Sequence, residues 1–408
     1  MKKLLTTIAL SFIAVFLSSD ALACTSAIFT GKVTPDGRPI LWKHRDTGED
    51  NNRVEYFKGE KYSFIGLVNS PDKGGVVWIG TNDAGFSIMN TASYNLKDDD
   101  VKEMDMEGEL MYKALSVCKT LEDFENFLDT LSRPMRVEAN FGVIDSQGGA
   151  AYYETNNTRF VKVDVNDPKV APQGYLVYTN FSYTGRFNEG MGYIRQQNAL
   201  DIISKESHLS GITPHWIFNK LSRSFYHSFM GTDLTSPESS PERFSGWVLD
   251  QDYIPRRSST ASVAIQGVKR GEDPEMIIMW TVLGYPPAGI ALPLWVKAKE
   301  RQPAVVLRSA SNENAYACDK ALALKYKTFS NKRGSGQRYM NFNLIYNSNR
   351  TGYMQELSST EHFIETLFNE PIERWRQKGL DIQELVQYYN DANEAVINAY
   401  LSISAIKQ

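Results

Sequence analysis

Residues 24–46 read CTSAIFTGKVTPDGRPILWKHRD. Thr25 to Thr30 is a short β-prone run, Pro35-Asp36-Gly37 is a turn signal, and Pro39 to Trp42 reads as the returning strand. The stretch predicts a β-hairpin with Cys24 at the head of its first strand. Lys43-His44-Arg45-Asp46 then ends the second strand, across from that head.

What precedes Cys24 gives the hairpin its interest. Lys2 and Lys3 are followed by an almost continuously apolar run, Leu4 to Leu17, and by the small-x-small triplet Ala21-Leu22-Ala23. This is the pattern of a secretory leader over residues 1–23, cut after Ala23. Cys24 then becomes an N-terminal residue that carries its own base. A thiol titrates near about 8.5 and an α-amine near about 7.7–8.0, so the amine can take the thiol proton directly or through a water. Acylation of Cys24 as a lipoprotein anchor is the competing reading. Such signals usually have Leu three positions before the cysteine, where this chain has Ala21.

Downstream, Arg53 to Phe57, Tyr62 to Asn69, Gly75 to Gly80 and Gly85 to Asn90 read as further strands separated by Gly, Asn and Asp. They form a meander, not an alternating βαβ series. Helical spacing of Leu110, Ala114, Leu115, Val117, Cys118 and Leu121 predicts a helix over Gly108 to Leu131. A second run of strands covers Ala139 to Asp145, Ala150 to Glu154, Phe160 to Val165 and Tyr175 to Tyr178, with a hairpin turn at Ser146-Gln147-Gly148-Gly149. Tyr193 to Lys205 and Pro214 to Leu221 read as helices, and Asp233 to Arg257 as a long irregular loop. Thr260 to Gln266, Met276 to Val282 and Ile290 to Ala298 return to strand. Glu361 to Trp375 and Ile382 to Ile403 form a terminal helical pair. The fold class is α+β: two mainly antiparallel sheets covered by helices.

The 408 residues carry 44 Lys and Arg against 48 Asp and Glu, a formal charge of −4, and 42% are hydrophobic. Roughly 385 residues follow the leader, enough for one large domain or two ordinary ones. No basic stripe interleaves with aromatics, which argues against nucleic acid. No later apolar run approaches the roughly 18 residues that span a bilayer. The 3 cysteines, Cys24, Cys118 and Cys318, make no disulfide scaffold. Cys118 and Cys318 could pair or stay as buried thiols. The 5 scattered histidines suggest no metal set, and no cofactor is called for.

A cysteine acting on an amide needs a base, a group orienting that base, and donors for the oxyanion. Asp46 could hold the α-amine, or could simply cap a turn. Lys43, His44 and Arg45 offer cations that favour a thiolate. Strand alternation puts Lys43 and Arg45 on one face and His44 on the other. Asn90 and Asn180 each end an apolar strand and could donate to an oxyanion, although Asn in such places also makes turns.

These residues together resemble the N-terminal nucleophile hydrolases. The similarity is to the branch that holds choloylglycine hydrolase, penicillin V acylase and the acyl-CoA:6-aminopenicillanate acyltransferase-like proteins. It rests on Cys24-Thr25-Ser26 at a processed terminus, on Lys43 to Asp46, and on Gly80 to Asn90. It rests further on Tyr178-Thr179-Asn180-Phe181, Arg256 to Ser262, and Trp280 to Gly284. The resemblance implies a four-layer α/β/β/α sandwich over residues 24–300. It leaves a largely helical extension, 301–408, that could pack on the core, make a dimer contact or shape the pocket. It implies Cys24 as nucleophile and base, Asp46 orienting the amine, Asn180 and Asn90 donating to the oxyanion, and Arg256 or Arg257 supporting the Cys24–Asp46 pair. Lys43 stands where choloylglycine hydrolases usually have Arg, and Lys cannot make the same bidentate contact. That departure counts against bile-salt specificity, and Arg45 could take part of the role. The expected function is an exported, periplasmic or extracellular hydrolase of linear N-acyl amides. An acyltransferase using the same acyl-enzyme, a related dipeptidase, and a lipid-anchored binding protein are the alternatives.

Overall fold

The computed structural model describes residues 23–309 and 312–403; the leader expected at 1–23 lies almost wholly outside them. The elements run β1 (Ala23–Phe29), β2 (Ile40–Asp46), β3 (Asn52–Phe57), β4 (Phe64–Asn69), β5 (Ile79–Asn82), β6 (Ser87–Ala92), α1 (Glu107–Val117) and α2 (Leu121–Thr130). Next come β7 (Ala139–Ile144), β8 (Ala150–Thr155), β9 (Phe160–Asp164), β10 (Tyr175–Tyr178), α3 (Tyr193–Ser207) and α4 (Pro214–Trp216), which continues as a π-helix, Ile217–Ser222. They are followed by β11 (Tyr226–His227), β12 (Thr232–Asp233), β13 (Trp247–Leu249), β14 (Ser259–Gln266), β15 (Ile278–Leu283) and β16 (Leu292–Leu294). Helices α5 (Tyr316–Thr328), α6 (Tyr353–Lys378) and α7 (Ile382–Ser402) follow, with short strands at Arg308–Ser309, Asn312–Ala315 and Tyr339–Asn341.

The opening hairpin forms as its sequence suggests, with Gly37 at φ 73° supplying the turn. It is the centre of a six-stranded sheet, β10-β1-β2-β14-β15-β16, while β3 to β9 form a seven-stranded meander in chain order. Every pairing in both sheets is antiparallel. Alternation sorts the side chains. Ile28, Leu41 and Val263 face Leu67, Met89 and Tyr152 in the space between the sheets. Ala27, Phe29, Ile40 and Trp42 face outward against Ala199 and Ile203 of α3 and the π-helix. Phe64, Ile88, Phe141 and Tyr153 of the second sheet pack outward against Leu110, Phe124 and Leu128 of α1 and α2. The result is the four-layer α/β/β/α sandwich.

The structure redraws some boundaries. The helix expected over Gly108 to Leu131 is broken at Cys118, whose backbone is extended, and restarts with Thr120 and Asp123 in a reciprocal capping box. The strand expected from Gly75 begins only at Ile79, because Gly74 and Gly75 turn with φ of 102° and 79°. Ile290 to Ala298 yields only the edge strand β16, centred on Pro293, and then a 3₁₀ turn. Helix α6 starts at Tyr353, eight residues earlier than the apolar spacing indicates, and α5 was not foreseen. Cys118 and Cys318 are buried free thiols in separate cores.

The C-terminal helices share the inter-sheet core. Trp295, directly after β16, meets Trp375 of α6 edge-on at 5.7 Å between ring centroids, with Phe368 and Tyr389 around it. Trp375 is 1% exposed. Trp375→Ala is therefore expected to cost about 3–5 kcal/mol, read as a lower denaturant midpoint at unchanged m.

Candidate active site

Cys24 is the second residue of β1 and pairs directly with Arg45 of β2. Residues paired across a sheet share a face, so the thiol lies on the inter-sheet side with Arg45 and Lys43. His44 points to the other face, toward Ser222 of the π-helix, as alternation requires. Cys24 is 7% exposed.

Two side chains, Asn180 and Arg195, clamp the backbone of Cys24. Its N–H donates to Asn180 Oδ1 at 3.0 Å. Its carbonyl accepts from Arg195 Nη1 at 2.7 Å, and Arg195 Nη2 also donates to Asn180 Oδ1 at 2.8 Å. Asn180 Nδ2 donates to the Ala92 carbonyl at 2.9 Å, which fixes which end of the amide faces Cys24. Asn180 follows β10, the strand beside β1, so the hairpin's neighbour delivers it.

On the thiol face, Lys43 Nζ donates to Asn90 Oδ1 at 2.7 Å and to the Trp78 carbonyl at 2.8 Å. The first bond holds Asn90 Oδ1 toward Lys43, so its NH₂ points elsewhere as a donor. Burial pushes the Lys43 ammonium down to about 8, opposed by attraction to Cys24. Burial likewise lowers Arg45 to about 10 and Arg195 to about 9; both remain cationic at neutral pH. Tyr94, half-buried nearby, has its phenol raised by burial and by the Cys24 charge.

On the opposite face, Asp46 is clamped rather than free. Its Oδ2 accepts from Arg256 Nη2 at 2.7 Å and its Oδ1 from Ser259 Oγ at 2.6 Å. Asp46 stands across from Ala23 in the β1–β2 pairing. Of the two arginines considered from sequence, Arg256 makes the contact. Arg257 is turned away: its N–H donates to Asp250 and its Nη1 to the Gln337 carbonyl. A cavity of about 320 Å³ opens at the start of β1, walled by Ala23, Arg195, Asp250, Asp252 and Arg256. Sequence reading missed Arg195 and Ser259. Arg195 left one trace: with Ala199 and Ile203 it occupies the i, i+4, i+8 apolar stripe of α3, an odd place for a cation.

Two buried groups around this centre titrate in opposite senses. Burial first, opposed by Asp46, lowers His44 from its ordinary 6.5 to about 4. The unfolded chain takes that proton earlier, so this contribution to stability is complete above 6.5 and lost as pH falls toward 4. Burial raises Glu107 from 4.5 to about 7, so its contribution is complete below 4.5 and lost as pH rises through 7. The two oppose each other between pH 4.5 and 6.5. Glu107→Gln leaves His44 unopposed, and the variant's Tm is expected to fall more steeply than the parent's from pH 7 to pH 4.5.

No family model matches the chain, and no curated protein matches its sequence. Among solved structures, it is similar to a variant of conjugated bile acid hydrolase from Clostridium perfringens, at 12% identity and a TM-score of 0.42, over 68% of this chain and 93% of that one. It is similar to penicillin V acylase from Agrobacterium tumefaciens at 13% identity and a TM-score of 0.38, over 66% and 86% of the two chains. A Caenorhabditis elegans ortholog of N-acylethanolamine-hydrolyzing acid amidase is similar at 14% identity and a TM-score of 0.36, over 60% and 92%. The layer order found here, helices outside two facing antiparallel sheets with Cys24 on a central strand, is the architecture that the resemblance to N-terminal nucleophile hydrolases implies.

Proposed function

We propose that the protein is an exported amidohydrolase that cleaves linear N-acyl amides through a thioester on Cys24, after removal of residues 1–23. One observation carries this reading. Cys24 lies at the convergence of a clamped backbone, two amide side chains and two buried cations on its thiol face. Removing Ala23 turns the Cys24 nitrogen into an amine beside the strand position that Asp46 faces.

The α-amine takes the thiol proton, and Lys43 and Arg45 stabilise the thiolate. Sulfur attacks the amide carbonyl carbon, and the developing oxyanion accepts from the NH₂ of Asn90 and from the second Nδ2–H of Asn180, the first being held by the Ala92 carbonyl. The tetrahedral species collapses, the C–N bond breaks, and the proton on the α-ammonium passes to the leaving amine. A water then attacks the thioester, gives its proton back through the amine, and releases the carboxylic acid and the thiol. Arg256 and Ser259 hold Asp46 in place throughout.

The test is the intact mass and N-terminal sequence of the exported protein, before and after iodoacetamide. The expected product begins at unmodified Cys24 and alkylates there rapidly. An acylated Cys24, or a retained leader, removes the amine and with it the mechanism.

A further inference from the structure

Arg45 is 4% exposed and lies beside the nucleophile, yet it is only partly satisfied. Its Nη2 donates to Asn69 Oδ1 at 2.7 Å, while Nη1 is buried without a partner. Its guanidinium carbon sits 5.1 Å from the ring centroid of Trp78, whose Nε1–H is also buried and unpaired. Two side chains in contact thus each carry an unpaired buried donor. Buried charges are ordinarily paired. Among the described residues no carboxylate forms an ion pair with Arg45 or Lys43; Lys43 meets only neutral oxygens. Asp72 acts on Arg45 through its charge, and its own Oδ2 is unpaired.

Charge counting says which part of a substrate completes this site. The Cys24 thiolate offsets one of the two cations before attack. Once the thioester has formed, that negative charge is gone, and Lys43 and Arg45 face a neutral sulfur. An anion carried by the acyl group restores the balance in that state. The amine has already left by then and cannot. Resting on the hydrolase reading above, we propose that Arg45 Nη1 and Trp78 Nε1 form an acyl-side subsite for a carboxylate. The preferred substrates are then amides whose acyl chain bears a second, anionic carboxyl group. Guanidinium and indole N–H donors both suit carboxylate oxygens. Trp78 and Asn69, the two side chains against the Arg45 guanidinium, are only half-buried.

The experiment uses the chain beginning at Cys24 and two independent readouts. Calorimetry compares dicarboxylates from succinate to adipate with monocarboxylates of the same length. At least one dicarboxylate is expected to bind on the order of 10-fold or more tighter than its partner, and Arg45→Gln is expected to erase the difference. Trp78→Phe, which deletes only the N–H and part of the ring, is expected to weaken it partly. Hydrolysis of an N-(ω-carboxyacyl) p-nitroanilide is then compared with that of the neutral acyl analogue. The parent's kcat/KM preference for the anionic substrate is expected to fall about 100-fold in Arg45→Gln. Equal binding of the two acid series, or a difference that survives Arg45→Gln, overturns the subsite. Arg45-dependent dicarboxylate binding without p-nitroaniline release sustains the subsite and overturns the hydrolase reading. Equal release from both anilides does the reverse.

Discussion

Cys24→Ala is expected to lower amide cleavage on the order of 10⁴-fold or more while leaving the fold intact. The two halves of this expectation have separate causes. Deleting a nucleophile removes the covalent route altogether, and the residual rate comes from binding and oxyanion donors alone. The structural cost is small because the hydrogen bonds of Cys24 to Asn180 and Arg195 are made by its backbone, which the substitution keeps. Removing one buried sulfur is expected to cost about 1 kcal/mol. The check is hydrolysis by the leader-free variant beside its thermal melt. Cleavage near the parent rate from a folded variant would show that another group does the chemistry. Cys24→Ser is a stricter comparison, since it keeps the α-amine and the shape and changes only the atom that attacks.

Much of this centre was legible because it is built from short-range strand rules. Alternation alone sends Lys43 and Arg45 to one face and His44 to the other, and the turn at Gly37 sets the register that pairs Cys24 with Arg45. Asn180 could be placed because it ends a strand that neighbours the hairpin. What stayed hidden depends on distant packing. Whether Arg256 or Arg257 faces Asp46 is decided by the loop before β14, where Asp250 and the Gln337 carbonyl draw Arg257 away. Arg195 arrives from a helix 171 residues along the chain, and no local pattern says that its guanidinium will cap the Cys24 carbonyl. The extension is similar. Lys325 of α5, 2% exposed, donates to the Ser259 carbonyl at 3.1 Å and pairs with Asp50, so the tail braces the strand that holds Asp46. Nothing in the spacing of α5 announces a buried lysine.

Asp46→Ala is expected to destabilise the protein by about 3–5 kcal/mol, because it breaks a buried ion pair from one side. The Asp46 side chain is fully buried and that of Arg256 is 9% exposed, so water cannot replace the lost carboxylate. The Ser259 hydroxyl loses its acceptor at the same time. Arg195 adds to the cost. Its charge is disfavoured by Arg256 and favoured by Asp46, so the carboxylate offsets two guanidiniums that otherwise repel. Removing the stranded cation should then restore stability. Asp46→Ala with Arg256→Met is expected to recover most of the loss in denaturant unfolding, since an apolar replacement of a whole buried pair is often neutral. Activity separates structure from chemistry. If Asp46 orients the α-amine, the double variant folds well yet cleaves amides poorly, and the pH profile of Cys24 alkylation shifts with it. A double variant that cleaves at the parent rate would reduce Asp46 to a counter-ion for Arg256, and the amine would owe its placement to Asn180 alone.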